Sequence, residues 1–164
     1  MEAVSEPPVN HSVWDTRWLE LATQIGSWSK DQSRQVGCVI VGSANQILTA
    51  GYNGFVRGVD DKRNDRHERP AKYDWTEHAE RNAIYNAART GVALQGATMY
   101  LPWFPCAPCA RAIVQVGLKT LVAIKLTVED SQWDDQFKIS ELLLQEAGVE
   151  VRLVAAERNS RIHA

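Results

Sequence analysis

The chain has 164 residues, a hydrophobic fraction of 45%, a charged fraction of 23% and a net charge of −2. These values are typical of a single domain with a sizeable core, and the slight negative charge gives no general attraction to nucleic acid. No apolar run has the length of a membrane span, and the three cysteines do not form a disulfide framework, so we expect a cytoplasmic protein.

The N-terminal half is predicted to begin with a tail and a helix. Residues 1–11 are polar, acidic and proline-containing, so we expect a disordered tail before one domain that spans residues 12–164. Apolar residues at helical spacing predict a helix over about residues 14–28. Two β-rich runs, 36–41 and 47–52, flank a polar turn and predict a hairpin.

The C-terminal half alternates between strand and helix patterns. After a helix over 77–89, strands are predicted at 97–101, 120–126 and 149–154, with helices at 106–116 and 138–147. Such alternation favours parallel strands with right-handed crossovers. The fold class is therefore α/β, a three-layer α/β/α sandwich with a mixed five-stranded sheet.

Residues 55–75 have little periodicity and carry many charges of both signs. A loop of this length inside a compact domain is uncommon and tends to serve function. The segment is either a solvated surface loop or one that covers a ligand site or a subunit contact.

Two short patterns carry the chemistry: His78-Ala79-Glu80, and Pro105-Cys106-Ala107-Pro108-Cys109. His78, Cys106 and Cys109 are three candidate Zn²⁺ ligands, which leave the fourth tetrahedral position open, as in catalytic zinc sites. Glu80 is a candidate proton carrier for a water at that open position.

The spacing of these residues restricts where the metal can lie. Cys106 and Cys109 are three residues apart in the first turn of a predicted helix, and His78 is near the start of another. Helical residues two positions apart point about 200° away from each other, so His78 and Glu80 cannot share a face. We expect zinc beyond the helix ends, with Glu80 outside its coordination shell.

Two other interpretations use the same cysteines. Cys106 and Cys109 could form a redox pair, although such a pair has no need of the distant His-x-Glu. A structural zinc would require a fourth ligand, for which Cys38 and the remaining histidines, His11, His67 and His163, are the candidates. For Cys38 we expect burial in a strand instead.

The combined pattern H-x-E and P-C-x-x-C is typical of zinc-dependent nucleobase deaminases. Beyond it, the sequence resembles deoxycytidylate (dCMP) deaminases, in the cytidine/deoxycytidylate deaminase superfamily. The resemblance spans about residues 14–155, and the segment that discriminates most is Gly51-Tyr52-Asn53-Gly54-Phe55. The other matching segments are 29–31 with 35–37, 72–73, 78–84 and 104–110.

This resemblance implies a cytidine deaminase-like fold and hydrolytic deamination of dCMP to dUMP and ammonia by a zinc-activated water. It also implies that Asn53 contacts the sugar or base, that the Ala79 backbone holds the base edge, and that the Pro105 carbonyl accepts from the exocyclic amine. Relatives often assemble as homo-oligomers, so we expect a dimer or hexamer. Val56 stands where the family usually has proline, which puts regulation by a nucleoside triphosphate in doubt.

A 5′-phosphate needs cations or backbone N–H groups. Lys30 and Arg34 are the first candidates, and Arg57 and Arg66 are alternatives from the long loop.

Other functions remain open from the sequence. The substrate could be another small nucleobase, nucleoside or modified nucleotide. A tRNA or DNA deaminase would require a basic face, against which the charge balance argues, so nucleic acid is an unlikely partner. A non-catalytic zinc module would have no need of Glu80.

Overall fold

The computed structural model describes residues 11–124 and 134–154, with the side chains of residues 11, 12 and 134 left out of the description. The helices in this part are α1 (His11–Gly26), α2 (Lys72–Trp75), α3 (Ala79–Thr90), α4 (Ala107–Gln115) and α5 (Asp134–Glu146). The strands are β1 (Gly37–Val41), β2 (Ile47–Tyr52), β3 (Gly54–Phe55), β4 (Thr76–Glu77), β5 (Thr98–Leu101), β6 (Thr120–Ile124) and β7 (Glu150–Val154).

The larger sheet has the strand order β2-β1-β5-β6-β7. β1 pairs antiparallel with both β2 and β5, whereas β5, β6 and β7 are parallel neighbours. The predicted mixed sheet of five strands is confirmed, with a hairpin at one edge and parallel strands at the other.

Helices cover both faces of this sheet. On one face, β-strand residues such as Ile40, Met99 and Leu121 belong to a core cluster with side chains of α3, α4 and α5. On the other face, Val39 and Val122 belong to a second cluster with side chains of α1. Adjacent strand residues thus divide between two cores, as a strand's alternation requires, and the predicted three-layer sandwich is confirmed.

Cys38 is fully buried in β1, in agreement with its predicted role as an apolar strand residue. The predicted tail falls on residues 1–11, of which 1–10 lie outside the described part and His11 begins α1. The single domain over residues 12–164 stays a prediction. The end of the strand predicted over 120–126 also lies outside the described part, from residue 125 onward.

The start of α3 differs from its prediction. Thr76 and Glu77 form β4, which pairs with β3 in a separate two-stranded sheet, so the helix cannot begin until after them. His78 is the N-cap, in an extended conformation, and Ala79 is the first helical residue.

The long segment between β3 and β4 contains a 3₁₀ turn at Asn64–Arg66 and the short helix α2. Within the described ranges 11–124 and 134–154, no helix is both long and apolar enough to cross a membrane.

Helix α3 is held closely against β2. The Thr49 hydroxyl donates to the Ala83 carbonyl at 2.9 Å, and the Asn82 and Asn86 amides each donate to a β2 carbonyl at 2.8 Å. Gly51 makes this approach possible, because a Cβ there would lie 2.4 Å from the backbone nitrogen of Ala83. The first turn of α3 is therefore fixed relative to the sheet.

Candidate active site

His78, Cys106 and Cys109 come together at the N-terminal ends of α3 and α4. The Nδ1 atom of His78 lies 3.4 Å from the Cys106 sulfur and 3.5 Å from the Cys109 sulfur. Tetrahedral zinc, with bonds of about 2.0 Å to nitrogen and about 2.3 Å to sulfur, would separate those atoms by about 3.5 Å. The three side chains therefore fit Zn²⁺.

Local sequence explains why the ligand atoms converge. His78 and Cys106 are the N-caps of their helices, both with extended backbones, and Pro108 occupies the first turn of α4. Proline suits that turn because its missing N–H would have no intrahelical partner. The cluster thus lies at the ends of two helices, as expected because His78 and Glu80 cannot share one helix face.

The protonation of the two cysteines is coupled. A hydrogen bond from Cys109, together with His78 and against the effect of burial, lowers the pKa of Cys106 to about 4. The shared proton stays on Cys109, whose pKa is raised well above its ordinary value by that hydrogen bond and by burial. The hydrogen bond to Cys106 also raises the pKa of His78, although burial opposes this. A cation between the sulfurs would take the place of this proton.

Glu80 is buried, with 5% of its surface exposed, and lines the cavity beside the cluster. Burial raises the pKa of its carboxyl group, while the charge of His78 lowers it. Its oxygens do not belong to the group of mutually close metal-ligating atoms. Glu80 is therefore suited to proton transfer near an ion more than to coordination.

A fourth protein ligand is not found in the described part of the chain, where no further His, Cys, Asp or Glu joins the cluster. Cys38 lies within β1, and the His67 ring packs on Phe55 and contacts the Asp61 carbonyl. The side chain of His11 and all of His163 lie outside the description. The residues present match the three-ligand arrangement of catalytic zinc sites.

One cavity is bordered by two members of the cluster, His78 and Cys106, and by three of the five predicted substrate residues. Arg34, Asn53 and Ala79 line it, and Pro105 is fully buried directly before Cys106. The full lining consists of Asp31, Arg34, Val36, Asn53, Arg69, Lys72, Tyr73, Thr76, Glu77, His78, Ala79, Glu80, Trp103, Phe104, Cys106 and Phe137.

The other predicted phosphate residues lie elsewhere. Lys30 is 74% exposed and pairs with Asp61, and together with Arg57 it lines a separate depression. The Arg66 guanidinium stacks on the Trp75 ring, 3.8 Å from its centroid. The structure does not bring these three cations to the cavity, and Arg57 instead donates a hydrogen bond to the Asn86 side chain.

Several lining residues were not given a role by the sequence. Arg69, Lys72 and Tyr73 come from the long loop, which therefore does border the candidate ligand site. Lys72 and Tyr73 belong to the matching segments, but the sequence does not show that the loop brings them to the cavity. Phe137 carried no signal, because it belongs to a helix distant in sequence from both patterns.

The family model for the cytidine and deoxycytidylate deaminase zinc-binding region matches residues 12–125. The chain belongs to this family. It is a zinc-dependent deaminase and thus a hydrolase, and His78, Cys106 and Cys109 are the described residues that could hold its metal.

Individual relatives of this deaminase agree with the family. An uncharacterized deaminase of Aliivibrio fischeri is 42% identical over 142 residues, which cover 85% of this chain and 92% of the relative. Human deoxycytidylate deaminase is 36% identical over 144 residues, with 85% and 78% covered. The cyanophage S-TIM5 dCMP deaminase, solved in complex with dCMP and dUMP, has the same fold. Its TM-score is 0.65 at 24% identity, with 92% of this chain and 100% of that chain covered.

Proposed function

We propose that this deaminase converts dCMP and water to dUMP and ammonia. Its relatives include deoxycytidylate deaminases at more than 30% identity. The observation that carries the proposal is the composition of the cavity, which joins His78, Cys106 and Glu80 to the cationic side chains Arg34 and Arg69. A cytosine nucleotide needs the metal ligands and Glu80 for the deamination of its base, and it needs cations for its anionic phosphate.

In this proposal His78, Cys106 and Cys109 hold the zinc ion. When bound, zinc supplies a Lewis acid that lowers the pKa of a water to about 7. Glu80 accepts a proton from the attacking water and delivers it to the ring nitrogen of cytosine, while the water oxygen bonds to the carbon that bears the amino group. Glu80 then carries the remaining hydroxyl proton to the amino group, the carbon–nitrogen bond breaks, and ammonia leaves. Burial supports this role, because a raised pKa makes the Glu80 carboxylate a stronger base toward the proton of the water.

Base recognition is assigned to Asn53, the Ala79 backbone and the Pro105 carbonyl. The Asn53 amide donates to the Arg34 carbonyl and accepts from the Val36 N–H, both at 2.8 Å. Among the described residues, this uses one amide hydrogen and one lone pair, so a second of each is left for a sugar or base.

The aromatic lining supports a base in the same cavity. Trp103, Phe104 and Phe137 line it, and the rings of Phe104 and Phe137 meet edge to face at 6.1 Å. Such rings pack well against a flat base and exclude water from it.

Phosphate recognition is assigned to Arg34 and Arg69, both of which line the cavity. Of the two first candidates only Arg34 is kept, since Lys30 lies in the separate depression with Asp61. A guanidinium presents paired N–H donors that match phosphate oxygens.

We further propose a homo-oligomer, a dimer or hexamer, in a reducing cytoplasmic compartment. Trp28 and Tyr52 support a subunit contact, because both are large, exposed and in contact with each other. The three free cysteines support the compartment. Light scattering of the purified protein measures the oligomeric state directly.

The test is an ammonia-release assay over cytosine, cytidine, deoxycytidine, CMP, dCMP, guanine and a tRNA. We expect dCMP to have the highest kcat/KM, with deoxycytidine lower by about 10- to 100-fold for each lost charge-assisted contact. Faster turnover of any other member would contradict the proposed substrate. Equal turnover of deoxycytidine would contradict phosphate recognition.

A further inference from the structure

A buried lysine in the cavity wall has a place in the reaction that the two metal-site patterns do not indicate. We infer that Lys72 is a positioning residue that, through Asp31, holds Arg34 where it meets the substrate phosphate. This inference rests on the proposed function, since it presumes a phosphate-bearing substrate.

The Lys72 ammonium has no donor to spare for the phosphate itself. Only 7% of the residue is exposed, and its Nζ lies 3.0 and 3.2 Å from the two Asp31 carboxylate oxygens and 2.5 Å from the Ser33 hydroxyl. An ammonium has three N–H donors, and these three contacts use them all. Lys72 therefore acts on its neighbours and not directly on a ligand.

Asp31 connects Lys72 to the backbone of Arg34. Its Oδ1 atom accepts from the Ser33 N–H at 2.8 Å, from the Ser33 hydroxyl at 2.7 Å and from the Arg34 N–H at 3.2 Å. Burial would raise the pKa of Asp31, but the hydrogen bonds from Ser33 and Lys72 hold it below its ordinary value. Asp31 is thus an anionic acceptor at neutral pH that closes the turn over residues 31–34.

The other side of Arg34 is also fixed. Its carbonyl accepts from the Asn53 amide at 2.8 Å, and its guanidinium lies over the Trp103 ring, 4.1 Å from the centroid. Such a cation–π contact stabilises the charged group where it lies. Asp31 and Asn53 therefore hold the backbone of Arg34 at both ends, while Trp103 holds its guanidinium.

The burial of the ion pair itself favours a positioning role. Taking two charges out of water offsets most of their attraction, so a buried pair is weak evidence for stability. The pair joins two segments 41 residues apart, and both of its members line the cavity. The Lys72–Asp31 pair therefore fixes the position of Arg34, the residue that we assign to the phosphate.

The test is a double-mutant cycle of Lys72→Met and Arg34→Ala, measured with dCMP and with deoxycytidine. We expect each single variant to lower kcat/KM for dCMP by about 10- to 100-fold, mainly through KM. The double variant should be no worse than Arg34→Ala alone, since Lys72 acts through Arg34. Turnover of deoxycytidine should change less than about 3-fold. Lys62→Met, an exposed lysine of the same loop, is the matched control.

Two outcomes would overturn the inference. If the loss of kcat/KM in the double variant equals the product of the two single losses, Lys72 contributes independently of Arg34. Equal losses on dCMP and deoxycytidine would mean a general structural role. If Lys72→Met does not fold, Asp31→Asn interrupts the same connection with little change of shape, and the same pattern is expected from it.

Calorimetric binding of dUMP and deoxyuridine to the same proteins gives an answer without turnover. A wild type that binds dUMP more tightly than deoxyuridine but does not deaminate dCMP would contradict only the proposed function. The double-mutant cycle could then still be evaluated from the binding affinities. A wild type that binds dUMP and deoxyuridine equally would overturn the positioning role of Lys72 as well.

Discussion

Glu80 is the residue on which the chemistry depends most directly. It is buried beside the cluster, and burial raises the pKa of its carboxyl group. We expect Glu80→Gln to lower turnover by about 10²- to 10⁴-fold, because the amide cannot carry a proton. Zinc content and thermal stability should stay close to those of the wild type, and metal analysis beside a rate assay measures both.

The matched control is Glu141→Gln, an exposed glutamate of α5, which should leave the rate unchanged. Turnover that persists in Glu80→Gln would remove this residue from the mechanism. Loss of zinc in the same variant would place Glu80 among the ligands instead.

Zinc binding should release protons at the cysteines. Without a cation the pKa of Cys109 is raised far above its ordinary value by the hydrogen bond to Cys106 and by burial, so its sulfur is protonated at neutral pH. Zinc takes the thiolate, so zinc affinity should rise with pH between 6 and 8. Competition with a chelator at several pH values measures this slope, and an affinity independent of pH would contradict it.

At the residue scale, the metal-site patterns predicted three side chains that the structure brings together. Their spacing and residue types identify His78, Cys106 and Cys109, and both features can be recognised in the sequence without knowledge of the fold. The phosphate residues could not be predicted in the same way. Lys30 and Arg34 are close in sequence, yet only Arg34 lines the cavity, because Lys30 turns to Asp61 across the long loop.

At the scale of elements, the close contact of β2 with α3 sets the position of the helix that carries Glu80. In Gly51→Ala, the new Cβ would lie 2.4 Å from the Ala83 nitrogen and 2.8 Å from the Ala79 carbonyl oxygen. We expect this variant to lose about 1–3 kcal/mol of unfolding free energy, as is usual for overpacking. Its turnover should also fall, because α3 must shift. Denaturant unfolding and a rate assay check both.

Gly54→Ala is the control from the same segment, since a Cβ there has nothing within 4 Å. It should unfold at nearly the wild-type denaturant concentration. Equal behaviour of the two variants would show that the packing of β2 on α3 does not position the site.

The elements themselves were largely predictable, and their ends were not. The order of helices and sheet strands follows from apolar periodicity, which burial in two cores enforces. The start of α3 was predicted at residue 77, because Thr76 resembles a cap and Glu77 suits a first turn. Pairing of β4 with β3 overrides these local preferences, and no short-range pattern announces a partner more than 20 residues away.

At the scale of the whole molecule, the metal site connects two helices that are far apart in sequence. His78 begins α3 and Cys106 begins α4, and the same ion would hold both. Removal of zinc by a chelator should therefore lower Tm, and added zinc should raise it with concentration. At 100 times Kd the gain is about 2.7 kcal/mol of unfolding free energy. A Tm that does not respond to zinc would contradict a metal bound in the folded state.

The three-layer architecture was predictable as a whole, because strand and helix patterns alternate and leave few topologies. The assembly of the cavity was not, since its wall combines the turn at Asp31 and Arg34, the long loop at Arg69 and Lys72, and α5 at Phe137. Such a wall depends on long-range packing, which the sequence does not encode at any fixed spacing.

We expect one zinc ion, held by His78, Cys106 and Cys109, to enable this protein to deaminate dCMP. The most direct measurement is the rate of dUMP formation while metal-free protein is titrated with Zn²⁺. We predict a rate that rises in proportion to bound zinc and levels off at about one ion per chain. Full activity without zinc would contradict this role of the metal, and one bound zinc per chain without dUMP formation would contradict dCMP as the substrate.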